Sequence, residues 1–213
     1  CIAREKKYEI IIKSTKITAY INKLFGENWN HLSFTNVVKC PTNDNVEPDG
    51  VLINAFLPFA QEGYMFPDTY LIPRDATGAT IAAMFRDNFD KRFTKDLQSE
   101  AKKQGLTVHE VVTLASIVER EALHDEDRPI IAGILLKRLD NDWPLDADAT
   151  VQYAVGYQAK EKSWWKKQLS TSDLAIKSPY NTRLHKSLPP NPISNPGLAS
   201  LTAVVNPKET EYW

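Results

Sequence analysis

The chain has 213 residues, enough for one substantial domain with a smaller companion around a proper core. Its 26 basic and 27 acidic residues leave a net charge of −1, which argues against a polyanion-binding surface. No apolar run approaches the roughly 20 residues of a membrane span, and no signal peptide opens the sequence.

Cys1 and Cys40 make neither a metal-ligand spacing nor a short redox motif and read as free thiols, with a disulfide between them or a lipid on Cys1 as the alternatives; His31, His109, His124 and His185 lie far apart. No metal and no cofactor are expected. Both ends read as cut, since there is no initiator Met and the last residues, TEYW, begin a strand.

Residues 1–60 read as a small α/β lobe. YEIIIK is a short strand, KITAYINKLFG an amphipathic helix closed by Gly26, residues 40–50 a polar loop, and VLINAFLPF a buried run. In residues 61–73, QEGYMFPDTYLIP, Pro67 and Pro73 forbid a continuous helix and leave an extended segment. Its Tyr64, Phe66 and Tyr70 either pin that segment to a core or line a sugar groove. Residues 79–100 form one amphipathic run with Ile81, Met84, Phe85, Phe89 and Phe93 inward, and Gly105 breaks the chain after it.

The next stretch, TVHEVVTLASIVEREA (107–122), is the one around which the chain is arranged. Thr107 and Glu110 make a capping box that marks a helix start. Val108, Val112, Ala115 and Ala122 form a stripe at helical spacing, and Glu119 falls on it. Glu121 lies about 200° further round and points elsewhere. A lone carboxylate on an apolar face is costly to ionise, which suits a general acid. The alternative is that the helix frays before Glu119 and the side chain reaches water.

PIIAGILLKRLDN follows as an apolar helix, with Pro129 in its first turn and Lys137 and Arg138 in its last, expected to pack antiparallel to the Glu119 helix. WPLDADATVQYAVGY supplies a loop and a short helix with Asp146 and Asp148 at its start, positions usual for caps. SPYNTRLHKSLPPNPISNPG (178–197) holds five of the 13 prolines and reads as a long rigid loop. Its neutral hydrogen-bonding side chains beside aromatic rings suit hydroxyl- and acetamido-bearing ligands, or else simply pack the loop. ASLTAVVNP forms a last helix.

EGYMFPDTY, LASIVEREA, DRP, LLKRL, LDADATVQYA, SPYNT and LPPNPISNPG, in that order, resemble the endolytic murein transglycosylases, the MltG or YceG-like family. The resemblance runs over residues 61–213. It implies an α+β fold: a mostly helical, lysozyme-like catalytic core with short strands in residues 61–213, after a partial N-terminal lobe at 1–60 that is the remnant of a LysM-like domain. The family also carries a membrane helix upstream and a β segment downstream, both missing from this sequence.

The implied activity is that of a lyase. It cuts the β-1,4 bond between N-acetylmuramic acid and N-acetylglucosamine in peptidoglycan and leaves 1,6-anhydro ends. The family's catalytic glutamate falls on Glu119. The substrate-binding set implied is Asp148, Gln152, Tyr153, Tyr180, Asn181, Thr182 and Asn195, walling a cleft between the Glu119 helix and the 180–197 loop. Ala149, Arg183 and Asn191 depart from the family's usual Pro, Tyr and Gly. The implied partners are glycan strands and wall-synthesis enzymes, with no nucleic acid and with membrane contact only through the upstream helix. The implied location is the cell envelope, on the outer side of the cytoplasmic membrane. Two other readings stay open: a hydrolysing muramidase that pairs Glu119 with Asp148 or Glu121, and a catalytically silent peptidoglycan-binding scaffold.

Overall fold

A computed structural model describes residues 8–11, 62–72, 78–158, 160–161 and 163–213. The helix, loop and buried run expected within residues 12–60, the LysM-like remnant, Cys1 and Cys40 lie outside the described residues.

The expected N-terminal strand is β1, Tyr8–Ile11, and it pairs antiparallel with β2, Thr69–Ile72, Tyr8 facing Ile72 and Ile11 facing Thr69. β2 grows out of the proline-bounded segment. Tyr70 is buried edge-on against Phe85 at 4.6 Å while Leu71 is exposed, the alternation of a half-buried strand. Tyr64 and Phe66 are buried as well, with Tyr64 5.0 Å from Phe89. Of the two roles open to these aromatics, pinning the segment to the core is the one the structure shows.

The other elements of the described chain are helices, joined by loops. Gly78–Arg92 is α1, Lys95–Lys103 α2, Val108–Glu121 α3, Arg128–Asp140 α4, Asp148–Val155 α5, the single turn Thr171–Leu174 α6 and Leu198–Val205 α7. The run expected at 79–100 is therefore two helices. Thr94 is extended (φ −63°, ψ 166°) and its hydroxyl accepts from the Leu97 N–H, so it starts α2 instead of continuing α1. Phe85, Phe89 and Phe93 nonetheless all face inward.

α3 is the axis of the molecule. The capping box is present: Thr107 Oγ1 accepts from the Glu110 N–H at 3.2 Å, and Glu110 Oε2 accepts from the Thr107 N–H at 2.8 Å. Residues Val111 to Val118 are all buried, whereas Val108, the first member of the expected stripe, is exposed. The helix is covered on every side, not along one stripe, as a central helix must be. Its main cover is α7, which also packs on α4. α4 packs on α3, as expected, but of its residues only Ala132 and Leu135 are buried, so it lies as a flank.

The end of the chain is not a strand. Asn206 ends α7, Lys208 N–H bonds to the Pro129 carbonyl at 2.9 Å, and the Trp213 ring lies 4.6 Å from Trp143 with Lys137 Nζ 3.8 Å above it. Gly133 permits this crossing, because a Cβ there would stand 2.1 Å from the Lys208 carbonyl oxygen.

Candidate active site

Glu119 lies in the last turn of α3, with its side chain 9% exposed. It is not the lone carboxylate on an apolar face that its spacing implies. Oε2 accepts from the Ser200 hydroxyl at 2.6 Å, the Gly197 N–H at 3.1 Å and Arg128 Nη1 at 3.3 Å. Gly197 is the N-cap of α7 and Ser200 its third residue, so the carboxylate sits at that helix's positive end. Arg128 opens α4, donates to Ser200 Oγ at 2.7 Å and reaches Asp125 Oδ1 through Nε at 2.9 Å. Three elements thus meet on one oxygen.

The 178–197 loop is held to α3 by backbone and side-chain bonds. Ile193 N–H bonds to Ser116 Oγ at 3.0 Å and Ser194 Oγ to the Ser116 carbonyl at 3.0 Å. Asn195 Oδ1 accepts from the Gly63 and Met65 N–H groups at 2.9 and 3.1 Å. Gly63 (φ +90°) passes so close that a Cβ would lie 2.5 Å from Pro192 Cγ. These ties place Gly197 against Glu119.

The residues expected to bind sugar separate into two groups. Asn181, Thr182 and Asn195 are buried, and their polar atoms serve the protein. Asn181 Nδ2 donates to the Leu174 and Ile176 carbonyls at 3.0 and 2.9 Å, while Thr182 Oγ1 contacts Thr150 Oγ1 at 2.8 Å and accepts from the Ala147 N–H at 3.2 Å. In this structure they brace the loop from behind. Gln152 donates to the Lys166 carbonyl at 2.8 Å. Tyr153 and Tyr180 stack with ring centres 4.7 Å apart, and Asn191 Nδ2 lies 3.3 Å from the Tyr180 hydroxyl. Asp148 is exposed, and it does not cap α5 with its side chain. Arg183 holds it at 2.7 Å and Asp146 at 2.9 Å. Glu121 does point away, as expected, and accepts from the Ala149 N–H at 3.2 Å at the start of α5.

Sequence reasoning missed Arg128, Ser200 and Gly197 as members of this site. Arg128 stood in the quoted DRP motif and Ser200 at the third position after a helix-starting Gly, but nothing local joins either to Glu119. It also missed Glu62, buried beneath the loop and donated to by the Tyr153 hydroxyl at 2.5 Å. Burial pushes the Glu62 carboxyl up to about 7, and the Tyr153 bond opposes the shift. A separate cleft of about 990 Å³ lies between His109, Leu136, Pro190 and Lys208; neither Glu119 nor its partners line it. Among the described residues no His, Cys, Asp or Glu cluster is placed to hold a metal, and no helix is long and apolar enough to cross a membrane.

The chain has clear relatives. The YceG-like family profile matches residues 5–213. The endolytic murein transglycosylase of Bacillus subtilis (strain 168) is 34% identical over 197 residues, which cover 92% of this chain and 52% of that protein. The protein of the same name from Streptococcus pneumoniae serotype 2 is 33% identical over 150 residues, 70% of this chain and 27% of that one. The chain thus spans about half or less of the curated relatives it matches. A 2.6 Å crystal structure of a yceG-like protein, lmo1499, from Listeria monocytogenes superposes with a TM-score of 0.72 at 29% identity, over 97% of this chain and 69% of that one. On fold, order of motifs and length of match, this chain belongs to the YceG-like family.

Proposed function

We propose that the chain carries the catalytic part of an endolytic peptidoglycan lytic transglycosylase, with Glu119 as acid and then base. The names of its relatives support the substrate and reaction class. The observation that carries the residue assignment is the convergence of Ser200, Gly197 N–H and Arg128 on one oxygen of a nearly buried carboxylate.

The reaction balances on that one group. Protonated Glu119 gives its proton to the glycosidic oxygen as the C1–O bond of the muramoyl sugar breaks, and the N-acetylglucosamine leaves with a free hydroxyl. The C6 hydroxyl of the same muramoyl sugar attacks C1 and returns its proton to the Glu119 carboxylate. Between the two steps the carboxylate is negative beside an oxocarbenium-like sugar, and the three donors on Oε2 keep it oriented and charge-balanced. An internal nucleophile dispenses with the second carboxylate that a hydrolase needs. Tyr180 and Asn191, on the outer part of the loop, are the side chains left to meet sugar, with Tyr153, Gln152 and the buried Asn181, Thr182 and Asn195 positioning them. Such a substrate places the enzyme in the cell envelope, outside the cytoplasmic membrane.

The test is to treat purified peptidoglycan with the chain and with Glu119→Gln, and to read the products by mass spectrometry. Anhydromuramoyl ends are expected from the parent, with the rate down on the order of 10²–10⁴-fold in the variant. Reducing ends would mean that water attacks and that the enzyme is a muramidase. No cleavage by the parent, with strands still bound, would leave a binding scaffold.

A further inference from the structure

Next to Glu119, the Arg120 guanidinium has a setting that the reaction does not use. Its Cζ lies 3.7 Å from the centre of the Trp165 ring, so one planar face is covered by indole. Nε is buried without a hydrogen-bond partner, and neither Nη group donates to any described residue. Glu119 and Glu121 are the acids whose charge it feels, yet neither closes an ion pair with it, and burial of the group weighs against its charge. A part-buried arginine normally has its donors filled, since unfilled charged donors cost more than neutral ones.

The platform beneath it is built, not incidental. Gln152 of α5 holds the Lys166 carbonyl at 2.8 Å, Ser163 Oγ bonds both the N–H and the carbonyl of Trp165 at 3.0 and 3.1 Å, and Lys166 Nζ is fixed by Asp173 at 2.5 Å. In the same segment Tyr157 packs on Trp164 with ring centres 5.3 Å apart. With its face stacked and Nε buried, the guanidinium is left with its Nη edge, which can take a carboxylate through two parallel bonds.

We propose that Arg120, stacked on Trp165, is the subsite for a carboxylate on the muramoyl arm of the strand, beside the bond that Glu119 cuts. This rests on the peptidoglycan reading above. The muramoyl sugar bears a lactyl group on O3, and that arm ends in a carboxylate when bare or leads to the carboxylates of a stem peptide when substituted. Both sources offer the same planar anion.

The experiment is a binding titration on the chain carrying Glu119→Gln, which removes turnover, with and without Arg120→Gln. The ligands are peptide-free strands, strands with stem peptides, and each of these after carbodiimide amidation of its carboxylates. Arg120→Gln is expected to weaken binding by at least about tenfold, the worth of a charge-assisted bond. Amidating the strand should produce the same loss, and the two changes together no more than either alone. A response confined to peptide-free strands identifies the lactyl carboxylate; one confined to substituted strands identifies the stem peptide. Changing the ligand leaves the protein intact, so a folding defect in the variant cannot imitate the result. Unchanged affinity after amidation, in a parent that binds and cuts, would overturn the Arg120 assignment alone; a parent that neither binds nor cuts any strand would overturn the peptidoglycan reading and this subsite with it.

Discussion

Ser200 Oγ stands 2.6 Å from Glu119 Oε2, the shortest of the three bonds to that oxygen. A hydrogen bond to a charged group is worth about 1.5–3 kcal/mol. Ser200→Ala should therefore lower kcat by roughly 10–100-fold with KM little changed, because the bond matters most when the carboxylate is negative beside the sugar. Steady-state turnover of glycan strands measures the split, and a KM effect with intact kcat would instead make Ser200 a sugar contact. Glu62 answers to pH. Its carboxyl keeps its proton in the folded chain up to about 7, against an ordinary value of 4.5. The folded state then holds more protons than the unfolded one between those values, so the stability linked to this group is complete below about 4.5 and is lost as pH rises through about 7. Glu62→Gln removes the titration. Its stability relative to the parent should climb across that window by on the order of 3 kcal/mol, seen as diverging melting temperatures; parallel curves would exclude a buried proton at Glu62.

Among the elements, the 178–197 loop has the most to explain, because it has no regular backbone ladder and still holds Gly197 on Glu119. Its order comes from side chains that hydrogen-bond backbone groups: Asn181, Thr182, Ser194 and Asn195 are all buried and all partnered within the protein. Asn195→Ala would leave the N–H groups of Gly63 and Met65 without their acceptor. The expected loss is about 2–4 kcal/mol, a fall in melting temperature of roughly 5–15 °C for a chain of this size, with activity falling in parallel. Loss of sugar affinity at an unchanged melting temperature would return Asn195 to the role of a direct contact. The same reasoning separates α4 from α7. The longer α4 is a flank, while the short, uncharged α7 covers α3 and aims its N-terminus at the carboxylate.

At the scale of the molecule, the ends of the described chain are tied to its middle. β1 pairs with β2 across more than fifty residues of sequence, and the 206–213 segment folds back over α4 to the Trp143–Trp213 stack. Gly133→Ala tests the second tie. The added methyl would stand 2.1 Å from the Lys208 carbonyl, a backbone atom that cannot yield by a rotamer change. The segment should lift, with faster amide exchange over residues 207–213 and a melting temperature lower by a few degrees, about 1–3 kcal/mol. Unaltered exchange there would mean that α4 shifts instead.

What the sequence determined by itself was whatever short-range chemistry governs. The Thr107–Glu110 box set the start of α3, the two prolines of residues 61–73 forced an extended path, and the proline-rich 178–197 stretch had to be a loop. The order of motifs along the chain was enough to reach the family. Glu119 was legible as a candidate because helical spacing turns it inward. Tertiary structure alone decided its company. Arg128, Gly197 and Ser200 are 9, 78 and 81 residues away along the chain, and their approach follows from how α3, α4 and α7 pack. The same cause lies behind the burial of Asn181, Thr182 and Asn195. A neutral amide or hydroxyl in a loop can face ligand or its own backbone with equal ease, and only the packing of the loop against α3 and α5 chose the backbone.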